Sequence, residues 1–192
     1  MILYPTETIY GLGANVLDDS EVAKIFSLKG RNERQTASWL VRDMSDINQY
    51  GEISATAEKI ITTFLPGKLT IILPAKSTVP QNCQAADKTI GFRISSDPIA
   101  QETITNFMHA HNAPLTCTSA NMSGQAPAAT PQDILAQFTT HKRDTSLITQ
   151  IVDDGPRSGK ASTIVRVIGD QVSILREGDI SEKAIYKALT GI

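Results

Sequence analysis

The first four residues, MILY, are apolar and predict a short strand ended by Pro5. Asp18-Asp19-Ser20-Glu21 has the D-x-x-E form of a capping box, Val22, Ile25, Phe26 and Leu28 recur at helical spacing, and Gly30 is a stop. Lys29 therefore falls in the last turn of a helix and Arg31 just past it. Residues 37–42 (ASWLVR) read as a buried strand, and 54–64 as a helix stopped by Pro66-Gly67. Residues 69–73 (LTIIL) and 89–95 (TIGFRIS) read as strands rich in β-branched residues. Asp97-Pro98 places a cap residue before Pro at the first helical position, opening a helix to residue 110 that carries Ile99, Ile104, Phe107 and Met108. Residues 114–118 form a strand that feeds the loop SANMSGQAPAAT. Thr130-Pro131 opens a helix to residue 138, and 147–152, 162–168 and 172–175 are strands. A serine-capped helix over 181–189 follows. Elements alternate without a regular βαβ rhythm, and the hairpin-like pair within 162–175 points to a mixed sheet. No repeat or long linker divides the chain, so the expectation is one α/β domain over residues 1–192.

Composition narrows the function classes. At 192 residues, 41% hydrophobic and 20% charged, the chain can bury a sizeable core, which excludes disorder, collagen and coiled coil. Lys plus Arg number 18 against 20 for Asp plus Glu. That near-balance gives no global basic field for nucleic acid but leaves room for a local basic pocket. Cys83 and Cys117 form no CxxC, which speaks against a disulfide framework or a Cys-rich zinc site and suits a reducing cytoplasm. No apolar run approaches the ~18 residues of a membrane span, and no signal-peptide pattern opens the chain.

Two glycine motifs fail on spacing. Gly11-Leu12-Gly13-Ala14-Asn15-Val16 has Val where a dinucleotide fingerprint needs its third Gly or Ala. Residues 155–162 (GPRSGKAS) are one residue short between the glycines for a P-loop, and Ala161 separates Lys160 from the hydroxyl residue. His109, His111 and His141 have no metal-ligand spacing, and Cys117 reads as a small residue of an apolar strand.

Three loops at element ends carry the candidate chemistry: Pro5-Thr6-Glu7-Thr8 with residues 10–13, Lys29-Gly30-Arg31, and Ser119-Ala120-Asn121-Met122-Ser123-Gly124. Short side chains there let backbone donors approach a polyanion, and Lys29 and Arg31 are suited to phosphate charge. Simpler roles are open to each. Lys29 can complement a helix C-terminus, Thr6 can cap a turn, Ser119 and Asn121 can form turns, and Arg176 can pair with Glu177 or Asp179. Arg93 is the hardest to explain that way, because it lies within a strand that reads as buried.

PTETIYGLGAN, KGR, FLPGKLT, SANMSG, STIV and REG, in this order, resemble the YrdC-like family of threonylcarbamoyl-AMP synthases, over residues 4–180. The resemblance implies a twisted, mixed parallel and antiparallel sheet flanked by helices around a deep, positively lined cavity. It implies formation of threonylcarbamoyl-adenylate and pyrophosphate from L-threonine, bicarbonate or CO₂, and ATP, with Mg²⁺ accompanying the ATP. The product serves N6-threonylcarbamoylation of adenosine 37 in tRNA. Partner proteins would transfer the group, and weak tRNA binding by this chain is compatible with that role. Carried over by motif, Lys29, Arg31, Thr89, Ser119, Asn121 and Arg176 are expected to bind ATP, with Lys29 and Arg31 positioning it. Thr6, Arg93 and Ser162 are expected to bind threonine, with Arg93 gripping its carboxylate as a fork. No metal ligand is implied.

Residues 32–37 depart from the family's usual run after K-x-R, so the loop there is expected to differ in shape. Relative to usual members the chain starts inside the first strand and reads as lacking an N-terminal helix of about 20 residues, and it resembles the short bacterial type. Two other readings are a paralogue of this fold that binds nucleotide or RNA without making the adenylate, and the carbamoyl-adenylate chemistry of hydrogenase-maturation proteins. The latter lie in long chains with zinc-finger-like cysteines, absent here.

Overall fold

The computed structural model describes residues 1–31 and 37–190. Capping chemistry sets the helix ends much as the sequence predicts. Helix α1 (Asp19–Lys29) starts where the Asp18 carboxylate accepts from the Ser20 and Glu21 amides, and ends at Gly30 with φ 66°. Helices α3 (Ala55–Phe64), α4 (Pro98–His111) and α5 (Pro131–Thr140) are capped by Ser54, Asp97 and Thr130, the last two with Pro in the first turn. Helix α6 (Glu182–Thr190) follows Ser181, whose hydroxyl accepts from the Ala184 amide.

Nine strands are described: β1 (Ile2–Tyr4), β2 (Gly11–Gly13), β3 (Ser38–Leu40), β4 (Leu69–Pro74), β5 (Thr89–Arg93), β6 (Leu115–Ser119), β7 (Gln150–Ile151), β8 (Thr163–Ile168) and β9 (Gln171–Arg176). They form one mixed sheet in the order β7-β1-β2-β6-β3-β5-β4-β8-β9. The pairs β1–β7, β3–β5 and β4–β8 are parallel and the others antiparallel.

Three expectations are corrected. Gly11–Gly13, read as loop, is strand β2. It has glycines because the buried Tyr4 ring fills the space that side chains would need: a Cβ on Gly11 would stand 2.8 Å from Tyr4 Cζ. A short helix, α2 (Met44–Tyr50), lies where none was predicted. Asp43 caps it, but only Asp46 and Ile47 are buried, too few to show an apolar stripe. The expected strand over 147–152 shrinks to β7, because Thr145–Leu147 forms a 3₁₀ turn.

Side-chain alternation divides the sheet. Trp39, Leu69, Ile71, Leu73, Ile90, Phe92, Val165 and Val167 pack against α2, α3 and α6 in the largest core cluster. A second cluster joins β1 and β2 to α1 and α5, and a third places Tyr4, Leu40 and Leu115 against α4. Ser38, Thr70, Arg93 and Ile164 alternate with the first cluster and so face the other side. That side is where a ligand hollow forms. The departure expected at residues 32–37 falls mostly on 32–36, outside the described residues.

Candidate active site

On that side lies a hollow of about 200 Å³. Its walls come from the whole chain: Thr6 after β1, Gly11 of β2, Arg31 past α1, Ser38, Thr70 and Arg93 of three central strands, residues 117–119 of β6, Ser162 before β8, and Arg176 closing β9. Three arginines and no carboxylate line it among the described residues. Six expected site residues therefore converge: Thr6, Arg31, Arg93, Ser119, Ser162 and Arg176.

Arg93 is 5% exposed. Its Nη2 donates to Glu7 Oε1 at 2.8 Å and to Thr8 Oγ1 at 2.7 Å. Ser95 Oγ donates to the other Glu7 oxygen. Arg93 Nε is buried with no partner among the described residues. Burial works against the guanidinium charge, but Cys117 and Glu7 outweigh it and hold Arg93 above its ordinary pKa. The expected fork on a carboxylate needs correction. Either fork of a guanidinium uses Nη2, and both Nη2 hydrogens are already donated. Arg93 offers the hollow single donors instead.

Thr6 lines the hollow, yet its hydroxyl serves the turn. Thr6 Oγ1 donates to Ile9 O at 2.7 Å and accepts from the Thr8 and Ile9 amides. The turn is braced from outside: Arg157 Nε donates to Thr6 O, Arg157 Nη2 pairs with Asp97, and the Gly159 amide donates to Thr8 O. The segment that failed as a P-loop thus works as a strap. A Cβ on Gly159 would stand 2.7 Å from Thr8 O.

Across the hollow, Ser162 Oγ shares a 2.8 Å hydrogen bond with Thr70 Oγ1. Arg176 Nε and Nη2 donate to Ser162 O at 3.0 and 2.8 Å. Arg176 does not take up the surface pairing with Glu177 or Asp179; Asp179 pairs with Lys68 instead. Gly178 lets the chain turn back here, since its Cβ would meet Ala161 O at 2.3 Å.

Lys29 and Asn121 stand beside the hollow rather than in its wall. Lys29 Nζ donates to the backbone oxygens of Ser119 and Asn121 and to Asn121 Oδ1. Burial, helped by Arg31, pushes its ammonium down to about 7. Asn121 Nδ2 donates to Met122 O and Gln125 O, so its amide is also spent within the loop. The loop offers few backbone donors to a ligand: the amides of Ala120, Asn121, Met122, Ser123 and Gln125 all have protein acceptors. Arg31 Nε lies 3.3 Å from Ser123 Oγ.

Thr89 is not brought to the site. It begins β5 while Arg93 ends it, four residues or about 13 Å along a strand. Its hydroxyl donates to Asp87, which also holds Arg166. Sequence reasoning named Glu7 and Thr8 only as members of the first loop, with no role of their own, and passed over Ser95 and Thr70. Glu7 was within sight, as the charged member of PTET, but its partner lies 86 residues away. Among the described residues no cluster of His, Cys, Asp and Glu could hold a metal ion, and no helix is long and apolar enough to cross a membrane.

Comparison with known proteins identifies the family and the fold. The family model Sua5, YciO and YrdC, described as "Telomere recombination", matches residues 1–178. A relative from Methanocaldococcus jannaschii, provisionally named a threonylcarbamoyl-AMP synthase, is 35% identical over 94% of this chain and 80% of its own. The Bacillus subtilis threonylcarbamoyl-AMP synthase is 32% identical over 96% of this chain and 51% of its own. The structure of P. abyssi Sua5 complexed with L-threonine superposes with a TM-score of 0.83 at 28% identity, covering 100% of this chain and 54% of that one. The chain thus spans about half the length of the last two. The matched model and the sheet that gathers its motifs around one hollow make this chain a member of the Sua5/YciO/YrdC family.

Proposed function

We propose that this chain is an L-threonylcarbamoyladenylate synthase, a nucleotidyltransferase acting on L-threonine, bicarbonate or CO₂, and ATP. The observation that carries the reading is the convergence of Arg31, Arg93 and Arg176 on a hydroxyl-lined hollow without a carboxylate. Such a lining suits a polyanion together with an amino-acid carboxylate.

Arg93 receives the threonine carboxylate through Nη1, which has no partner among the described residues and, unlike Nε, is not enclosed. Ser162 and the Thr6 turn flank that position. Arg31 and Arg176 hold phosphate oxygens, and Ser119 adds a hydroxyl. The hollow is smaller than the roughly 300–1,000 Å³ of ordinary ligand pockets. It therefore takes the amino acid and the reacting phosphates, with the nucleoside across its mouth. The threonine amine attacks CO₂ to give a carbamate and release a proton. A carbamate oxygen attacks the α-phosphorus of ATP, the bond to the bridging oxygen breaks, and pyrophosphate leaves. The protein acts by positioning and by stabilising charge on the phosphates. Hydroxyls and guanidiniums are poor Mg²⁺ ligands, so the donor set does not fit a protein-held Mg²⁺, and no step is routed through one. Thr89 has no part in this reading, and Lys29 and Asn121 act through the loop. Transfer to tRNA falls to partner proteins, with weak tRNA contact by this chain, in a cytoplasm that keeps Cys83 and Cys117 reduced.

The test is release of pyrophosphate from ATP in the presence of bicarbonate and Mg²⁺. Threonine-dependent release, with an adenylate detected by mass spectrometry, is the expected result. Threonine-independent release points to the nucleotide-binding paralogue, and no release overturns the reading.

A further inference from the structure

We infer that Lys29 is a positioning residue: its buried ammonium clamps the 119–125 loop to the end of α1, setting Ser119 and Arg31 at the hollow without itself touching phosphate.

Donor capacity carries the inference. A lysine ammonium has three N–H bonds. Lys29 Nζ has three acceptors: Ser119 O, Asn121 O at 2.8 Å and Asn121 Oδ1 at 3.3 Å. No proton is left for a ligand. The residue is 0% exposed and forms no part of the hollow's wall, whereas Arg31, two residues on, does. Gly30 between them is left-handed, so the chain turns sharply after Lys29 and sends Arg31 elsewhere.

The loop is held from both sides of the same residue. Lys29 O accepts from the Ser123 amide at 3.0 Å while its ammonium gathers the carbonyl oxygens of Ser119 and Asn121. Ser123 in turn accepts from Arg31 Nε. Pulling Lys29 away would therefore release Ser119 directly and Arg31 through Ser123. No carboxylate of the described residues forms an ion pair with Lys29. The burial that lowers its pKa is the cost of using a charge as a structural clamp.

The inference rests on the proposed function only where nucleotide is concerned, and one arm of the test needs no ligand. Hydrogen exchange of the ligand-free protein reads the amides of residues 120–123 and 125, all hydrogen-bonded in the intact loop. Lys29→Met is expected to speed their exchange at least 10-fold and leave β4 and β5 unchanged. Unchanged loop exchange overturns the clamp. Where the variant unfolds globally, wild-type protein decides: under acetic anhydride Lys29 should stay unmodified with or without ATP, and Lys29 acetylation that ATP suppresses overturns the inference. In calorimetry with AMP, ADP and ATP, Lys29→Met should weaken all three by the same factor, while the deficit of Arg31→Ala grows with phosphate number. A Lys29→Met deficit that grows likewise makes Lys29 a phosphate ligand and defeats the clamp. If wild-type protein binds none of the three, the proposed function fails, and exchange and acetylation still judge the clamp.

Discussion

Removing the Glu7 side chain tests what fixes Arg93 at the hollow. The two side chains are 12% and 6% exposed and meet at 2.8 Å. At an effective dielectric of about 20, that contact corresponds to roughly 6 kcal/mol of Coulomb attraction. Desolvation offsets much of it, and the pair taken together adds little to stability. Breaking it from one side is different, because it strands a buried guanidinium, at about 3–5 kcal/mol. Glu7→Ala should therefore lower the free energy of unfolding by about that amount, and the melting temperature by roughly 10 °C. Glu7→Gln keeps an acceptor for Nη2 but not the charge, and should cost less. The double variant Glu7→Leu, Arg93→Met leaves no charge stranded and should recover most of the loss while abolishing threonine binding. Urea unfolding with a shared m-value gives the three free energies, and calorimetry gives the threonine affinity. A Glu7→Ala cost under about 1 kcal/mol, or a double variant no more stable than Glu7→Ala, would refute the account of Arg93 as a stapled buried cation.

Three further outcomes follow from the geometry. Arg31→Ala and Arg176→Ala should each raise KM for ATP roughly 10–100-fold, the loss of one or two charged hydrogen bonds, with KM for threonine changed far less in steady-state pyrophosphate release. Gly178→Ala drives a Cβ into the Ala161 carbonyl, a backbone atom, and should cost roughly 2 kcal/mol or more in urea unfolding and displace Ser162. Burial lowers the Lys29 pKa to about 7 in the folded state, so the ammonium is kept below that pH and loses its proton above it, while the unfolded chain stays protonated up to 10.5. Stability should accordingly rise with pH across that window, by at most about 1.4 kcal/mol per pH unit, and lie flat below it. Urea midpoints from pH 6 to 9.5 check this, and Lys29→Met should remove the slope.

Where the backbone carries its own signals, the sequence was informative. Asp18, Asp97-Pro98 and Thr130-Pro131 mark helix starts because cap bonds are local, made within three residues. Strand β2 was hidden because its glycines answer to Tyr4, a packing partner that alternation cannot reveal. The site was legible as a set of motifs but not as a division of labour. Arg31, Arg93, Ser162 and Arg176 reach the hollow as the motifs imply. Whether each hydroxyl or ammonium is free depends on partners far along the chain: Thr6 spends its hydroxyl on its own turn, Lys29 spends its ammonium 90 residues away, and Thr89 lies at the wrong end of β5. Pairings such as Glu7 with Arg93 leave no local trace.

The order of the strands bears on how the chain comes to be folded as it is made. β1 and β2 pair with each other, but Ile2 also pairs with Gln150 and Gly11 with Ser119, so each of these two strands has one neighbour that is made much later. At roughly 5–20 residues per second of synthesis, the first strand leaves the ribosome roughly 8–30 s before its outer neighbour exists. Leu3 and Leu12, both fully buried at the end, can until then pack only within their own hairpin and against Ile25 and Leu28 of α1, without Ile134, Phe138 and Ile148. The ligand hollow, whose lining runs from Thr6 to Arg176, should accordingly be complete only after residue 176 has emerged.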